Sequence, residues 1–384
     1  MRTRYSRFIV LRDTTTTPPQ THAAPIFATF ITFLGIGLRG FGGPAAQLSV
    51  LSSEFVEKRA WLPLERFRRA LAVCQVIPGP EAHEMCCYIG VVRAGSLGGI
   101  AAGLGFMLPG FVLMLAASAL YTSVDLANPM IAGALHAMQL AASALIVRAT
   151  WKLATTLARG KLLATVFVAA ALAVFAKQFF SAPTAAIEGG AVQTVSVAAL
   201  FSHGLTAGLV TFGGAYTAIP YVAAVACGPT GWMTERAFLD GIAISGVLPA
   251  PLVIFGTFVG WQGAGLAGAL AFTAGIFLPA FTFVIAGFRV LDRLVAWHTA
   301  RVVLDVAGAA AAGVIAATAL GLASRSIGMH ALVNGDANWT RTTLHALAFA
   351  ALVLWFFRAK HRASIPAAMI AAALVGSAIG AFAA

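Results

Sequence analysis

Phe41-Gly42-Gly43 returns as Phe212-Gly213-Gly214, 171 positions further along the chain. In the same register Gly37 falls on Gly208, Trp61 on Trp232, Phe67 on Phe238, Pro78 on Pro249 and Pro80 on Pro251. One residue is then lost. At an offset of 170, Gly98 falls on Gly268, Gly105 on Gly275, Leu108-Pro109 on Leu278-Pro279 and Phe111 on Phe281. With 7 Trp and 16 Pro in 384 residues, such a register marks an internal repeat. Both copies place Gly and Pro inside apolar sequence, a pattern found in transporters built from two related halves.

The chain is 60% hydrophobic and 10% charged, which excludes an ordinary soluble domain. Apolar stretches near residues 95–121, 129–147, 161–180, 264–288, 302–323, 343–357 and 364–384 approach or exceed the ~20 residues that cross a bilayer. The short alternating segments of a membrane β-barrel are absent. The fold expected is an all-α polytopic membrane protein of two inverted-topology repeats. Its expected parts are a basic cytoplasmic tail at 1–24, a first repeat at 25–181, a linker at 182–196 and a second repeat at 197–384.

Four further apolar segments are broken. Residues 27–57 are interrupted around Phe41 to Pro44 and 66–92 at Pro78-Gly79-Pro80; their counterparts 197–228 and 236–261 are interrupted at Gly213-Gly214 and Pro249-Ala250-Pro251. Proline removes a backbone donor and turns the preceding residue away from helix. Each flanking piece of about 13 residues spans only ~20 Å, short of a ~30 Å hydrocarbon core. The expectation is therefore re-entrant hairpins whose tips meet inside the membrane. If the first pair opens to the cytoplasm, three spans follow and the second pair opens outward. Under that topology 20 Lys and Arg lie on the cytoplasmic side and four outside, with Arg39 at membrane depth. The asymmetry agrees with cytoplasmic enrichment of basic residues and places the N-terminus in the cytoplasm and the C-terminus in the periplasm.

The net charge of +12 is read as this topology and as attraction to the lipid bilayer, with no nucleic acid as partner. Cys74, Cys86, Cys87 and Cys227 lack paired metal or redox spacing and read as small core residues. No cofactor, metal or catalytic group is expected. A homodimer stays open as an assembly.

Pro78-Gly79-Pro80-Glu81-Ala82, followed by Tyr88-Ile89-Gly90, Gly98-Gly99 and Leu108-Pro109-Gly110, resembles the chromate ion transporter family. So do Phe41-Gly42-Gly43-Pro44-Ala45 with Trp61-Leu62, and Thr211-Phe212-Gly213-Gly214-Ala215-Tyr216 with Gly231-Trp232. The resemblance runs in order from about residue 27. It implies transport of chromate across the bacterial inner membrane, usually outward and conferring resistance, with sulfate a related or competing anion. The chain departs from the pattern at Pro249-Ala250-Pro251, where many members carry a central glycine. It departs again at Ala243 to Gly246, where an acidic residue is expected.

A tetrahedral dianion inside a bilayer needs donors that are cheap to bury, and a half-helix start supplies free N–H groups with a partial positive charge. The expected substrate-binding residues are Arg39, Phe41, Gly42, Gly43, Gln75, Pro78, Gly79, Pro80, Phe212, Gly213, Gly214, Pro249 and Pro251. Arg39 is expected to pair with the anion through its planar guanidinium. Glu81, His83 and Glu84 would repel an anion and are read as proton-coupling residues, Glu81 before the other two, with a helix-start cap as their structural alternative. Tyr88, His136, His203 and Tyr216 are weaker candidates, read first as core residues with a polar tip. Arg66, Arg68 and Arg69 form a basic rim that doubles as ordinary topology. Rival readings are a sulfate or other oxyanion carrier, a membrane enzyme and a non-transporting receptor.

Overall fold

The structure is a computed structural model. It describes residues 26–41, 43–75, 77–157, 160–180, 195–211, 215–228, 230–295, 298–327, 339–358 and 364–383. The basic tail and nearly all of the linker lie outside them. The regular elements described are helical. They are α1 (Ile26–Gly37), α2 (Gly43–Ser52), α3 (Leu64–Cys74), α4 (Glu81–Ser123), α5 (Pro129–Leu157) and α6 (Lys161–Phe180). After the linker come α7 (Val197–Leu209), α8 (Ala218–Ala226), α9 (Glu235–Val247), α10 (Phe255–Val295), α11 (His298–Ile327), α12 (Trp339–Arg358) and α13 (Ser364–Ala383). Three segments among the described residues are long and apolar enough to span a bilayer: Glu81–Ser123, Pro129–Lys152 and Leu252–Gly287. This is an all-α membrane protein.

Several local features recur in both halves. Each long helix α4 and α10 is broken at one place, at Ala94-Gly95 and at Ala264-Gly265. Gly95 has φ 68° and Gly265 φ 56°, a conformation open to glycine and strained for L side chains. The turn folds residues 81–93 back on the start of 96–123. There the Gly90 and Gly98 backbones touch, as Gly260 and Gly268 do in the second half.

The crossing of α1 on α4 is likewise matched by that of α7 on α10. A Cβ on Gly37 would stand 2.5 Å from the Phe106 carbonyl oxygen, and one on Gly208 2.5 Å from that of Ile276. Gly105 lies equally tight on the Phe30 carbonyl, and Gly275 on that of Phe201. Small residues let helix backbones approach where lipid offers no hydrophobic drive for association. Around these crossings Phe33, Phe55 and Phe106 fill the first half and Phe255, Phe258 and Phe272 the second, all essentially inaccessible.

At one end of the first half, α2 continues into a π-helical turn, Ser53–Lys58. Its buried Glu54 accepts a 2.8 Å hydrogen bond from Arg59 and lies 3.6 Å from Lys58. The Arg59 bond holds the Glu54 carboxyl below the usual carboxylate range. Arg59 and Arg93 both pack over Trp61, and Arg66 donates to the Tyr88 hydroxyl. These basic residues therefore gather at one end of the first half.

Ala at Gly37 or Gly208 should cost roughly 1–3 kcal/mol through overpacking against backbone that cannot yield. Ala at Gly35, which has nothing within 4 Å, should leave stability unchanged or raise it. Thermal melts of the purified variants in detergent check the contrast between Gly35 and Gly37, two residues apart on one helix.

Candidate functional site

Among the described residues each half has, at its two expected interruptions, a place where one helix ends and another begins: after Gly37 and after Cys74 in the first, after Leu209 and after Val247 in the second. The breaks meet across the halves. The Gly79 N–H donates to the Thr211 carbonyl at 2.7 Å, joining Pro78-Gly79-Pro80 to the residue before Phe212. A second meeting point lies where Gly43, Tyr216, Ser245 and Ala250 enclose a cavity of about 20 Å³, with Leu145 of α5 and Ile365 of α13 completing the wall. That volume holds about one water molecule, so a four-oxygen anion requires the walls to part.

The residues expected from the sequence divide between these surroundings. Gly79, Pro80, Pro249 and Pro251 are buried at the meeting tips, and Phe41, Gly43 and Pro78 are half-buried beside them. Gly42, Phe212, Gly213 and Gly214 lie outside the described residues. Arg39 is exposed, and its Nε donates back to the Gly35 carbonyl at the end of α1. Gln75 is exposed too, within hydrogen-bonding reach of the half-buried Glu81, whose carboxylate also feels the charge of Lys152 on α5.

His83 and Glu84 are fully buried. The His83 ring packs edge-on against Phe277 and Phe281 of α10. Neither Glu84 carboxyl oxygen has a hydrogen-bond partner among the described residues. That carboxyl abuts the Gly79 turn closely enough that a side chain at 79 would collide with it. A buried carboxylate without donors carries a cost of several kcal/mol.

Three polar groups of the interior escaped the sequence reading. Asp240 of α9 is fully buried and accepts from the Tyr121 hydroxyl at 2.8 Å and from the Gln139 amide at 2.7 Å, so α4, α5 and α9 share one network. Asp240 stands one turn before the 243–246 segment, where the family pattern carries an acid. Buried Gln47 donates to the Gly40 carbonyl at 2.8 Å across the first break. Arg148, one of the 20 basic residues that the sequence topology puts on the cytoplasmic side, sits half-buried within α5. The available signals were an acid alone in an apolar run at 240 and a cation well inside the 129–157 helix.

A family model described as chromate transporter matches residues 27–194 and, separately, 198–377. The chain belongs to the chromate transporter family. It is 42% identical over 351 residues to a chromate transport protein of Pseudomonas aeruginosa, covering 80% of this chain and 82% of that protein. It is 26% identical over 399 residues to a chromate transport protein of Cupriavidus metallidurans, covering 94% and 96%. With a probable chromate transport protein of Synechococcus elongatus it shares 27% identity over 286 residues, 65% of this chain and 72% of that one. No solved structure matches.

Within this family member, the departure at Pro249-Ala250-Pro251 has a structural counterpart. Gly79 packs against the Ala280 Cβ of α10, while Ala250 packs its own Cβ against Gly110 of α4. Positions 79 and 250 correspond at the offset of 171, and 110 and 280 at 170. The two mirrored contacts thus hold one methyl group each, with its donor exchanged. Gly110→Ala alone should destabilise the protein, and Ala250→Gly should rescue it. A double-mutant cycle of thermal stability should give a coupling of roughly 0.5–3 kcal/mol.

Proposed function

We propose that this protein exports chromate from the cytoplasm across the bacterial inner membrane and so confers chromate resistance. The observation that carries the reading is the meeting of broken-helix tips from both halves around a small cavity. It is the arrangement in which two related halves, inverted in the membrane, can rock about a fixed site to expose it alternately. The anion would sit between the paired tips, among Gly42, Gly43, Phe41 and Pro78 to Pro80 on one side and Phe212 to Gly214, Pro249 and Pro251 on the other. Arg39 and the basic rim at Arg66, Arg68 and Arg69 would raise the anion concentration near the cytoplasmic mouth, and the Gln75 amide would donate to the anion.

Inside-negative potential favours expulsion of a dianion by about 4.6 kcal/mol per 100 mV, twice the single-charge value. Export therefore needs no other energy source. A proton can still be coupled to it. Glu84 is the carrier that the surroundings favour, since it lacks donors and abuts the Gly79 turn; Glu81 and His83 flank it. Sulfate shares the charge and shape of chromate and would compete at this site.

Everted vesicles containing the chain should accumulate chromate, and excess sulfate should reduce the rate. Vesicles with the folded protein but no chain-dependent accumulation would sink the assignment, and accumulation only in right-side-out vesicles would reverse the direction. Glu84→Gln should abolish the response of flux to an imposed pH gradient while sparing the part driven by potential. An unaltered pH response would remove Glu84 from the coupling.

A further inference from the structure

We propose that the oxyanion is bound by the Tyr216 hydroxyl and the Arg148 guanidinium, at the cavity where Gly43 begins α2. This rests on the transport reading above and assigns the residues that grip the substrate.

Tyr216 is 9% exposed and lines the cavity. Its hydroxyl has no hydrogen-bond partner among the described residues. The other described tyrosines differ: Tyr88 accepts from Arg66, Tyr121 donates to Asp240 and Tyr221 pairs with His203. A buried hydroxyl is ordinarily partnered, so one that faces a cavity marks a place for something else. Across that cavity stands Gly43, where a side chain would begin 3.9 Å from the Tyr216 oxygen. Gly43 opens a ten-residue helix whose first N–H groups lack helical acceptors.

Arg148 follows the cavity-lining Leu145 by three residues, so both share one face of α5. It has no carboxylate partner among the described residues, whereas Arg59 pairs with Glu54 and Arg68 with Glu65. Arg148 stands behind the residues that line the cavity, near enough for its charge to act on the Tyr216 hydroxyl. A half-buried, unpaired cation inside a membrane helix defaults to function. The fork of a guanidinium, an O–H and a helix start are all donors, and the cavity wall presents no carboxylate. The chemistry recognised is a divalent tetrahedral oxyanion.

The repeat sharpens the assignment. At the offset of 171 the first half has Ala45 where the second has Tyr216, and at 170 the second has Thr318 where the first has Arg148. The mirrored positions therefore hold neither a tyrosine hydroxyl nor a cation, which argues for one anion site per chain.

The test is calorimetric binding of chromate, and separately of sulfate, to the full chain in nanodiscs, beside chromate flux in proteoliposomes. Tyr216→Phe should weaken binding about tenfold and Arg148→Gln by one to two orders of magnitude, matching the loss of hydrogen bonds to a charged group. KM should rise with little change in maximal rate. Arg148→Lys should recover much of the loss, which a purely packing role would not allow. Lys161→Gln, an exposed charge removed elsewhere, should leave both constants unaltered. Wild-type chromate flux with unchanged binding in both site variants overturns this inference and leaves the transport reading standing. Binding of sulfate but not chromate, lost in the same variants, does the reverse. Absence of binding of either anion overturns both.

Discussion

Hydrocarbon offers no partner to a backbone N–H or C=O, so a helix broken within the bilayer survives only if protein satisfies the freed groups. In this molecule the solution lies across the halves, where the Gly79 N–H meets the Thr211 carbonyl. Breaks buried in protein have no solvent to meet their backbone groups, so they face one another, and the long helices cross closely enough to wall them off. The bare backbone contacts at Gly37, Gly105, Gly208 and Gly275 follow from that demand. The cavity is what remains when two irregular tips are brought together without filling the space between them.

The helical class and the places where the helices break were legible because both are matters of local chemistry. Apolar length sets the spans, and Gly and Pro set the interruptions. The repeat added long-range information that a single pass of hydropathy lacks, since every break was announced twice. Between a hairpin over 66–92 and a span from 95, the sequence marks Ala94-Gly95 only as a gap. It is instead a fold-back, whose tightness comes from glycines eight residues apart.

The interior polar groups were less legible. Glu84 and His83 stand in a recognisable motif, but nothing in one chain says that Glu84 would find no donor. Asp240 is an ordinary-looking acid after an ordinary-looking arginine; its burial depends on Tyr121 and Gln139, more than one hundred residues away. Arg148 was absorbed into a count of basic residues because a charge near a helix end has the same appearance whether it meets cytoplasm or a cavity wall. Arg39, at a break by sequence, turns back onto its own helix. Position along the chain locates a charge to within a turn or two, and direction around the helix decides its surroundings.

The exchange of one methyl group between the two mirrored contacts has an evolutionary consequence. Two first halves assembled as a pair would place Gly79 opposite Gly110 at both contacts, leaving a void at each. Two second halves would place Ala250 opposite Ala280 at both and collide. Only unlike halves fit. A duplicated ancestor could have worked as a pair of identical subunits, but after this divergence each half became the other's exclusive complement. Fusion into one polypeptide then ensures that the complement is always present at equal dose.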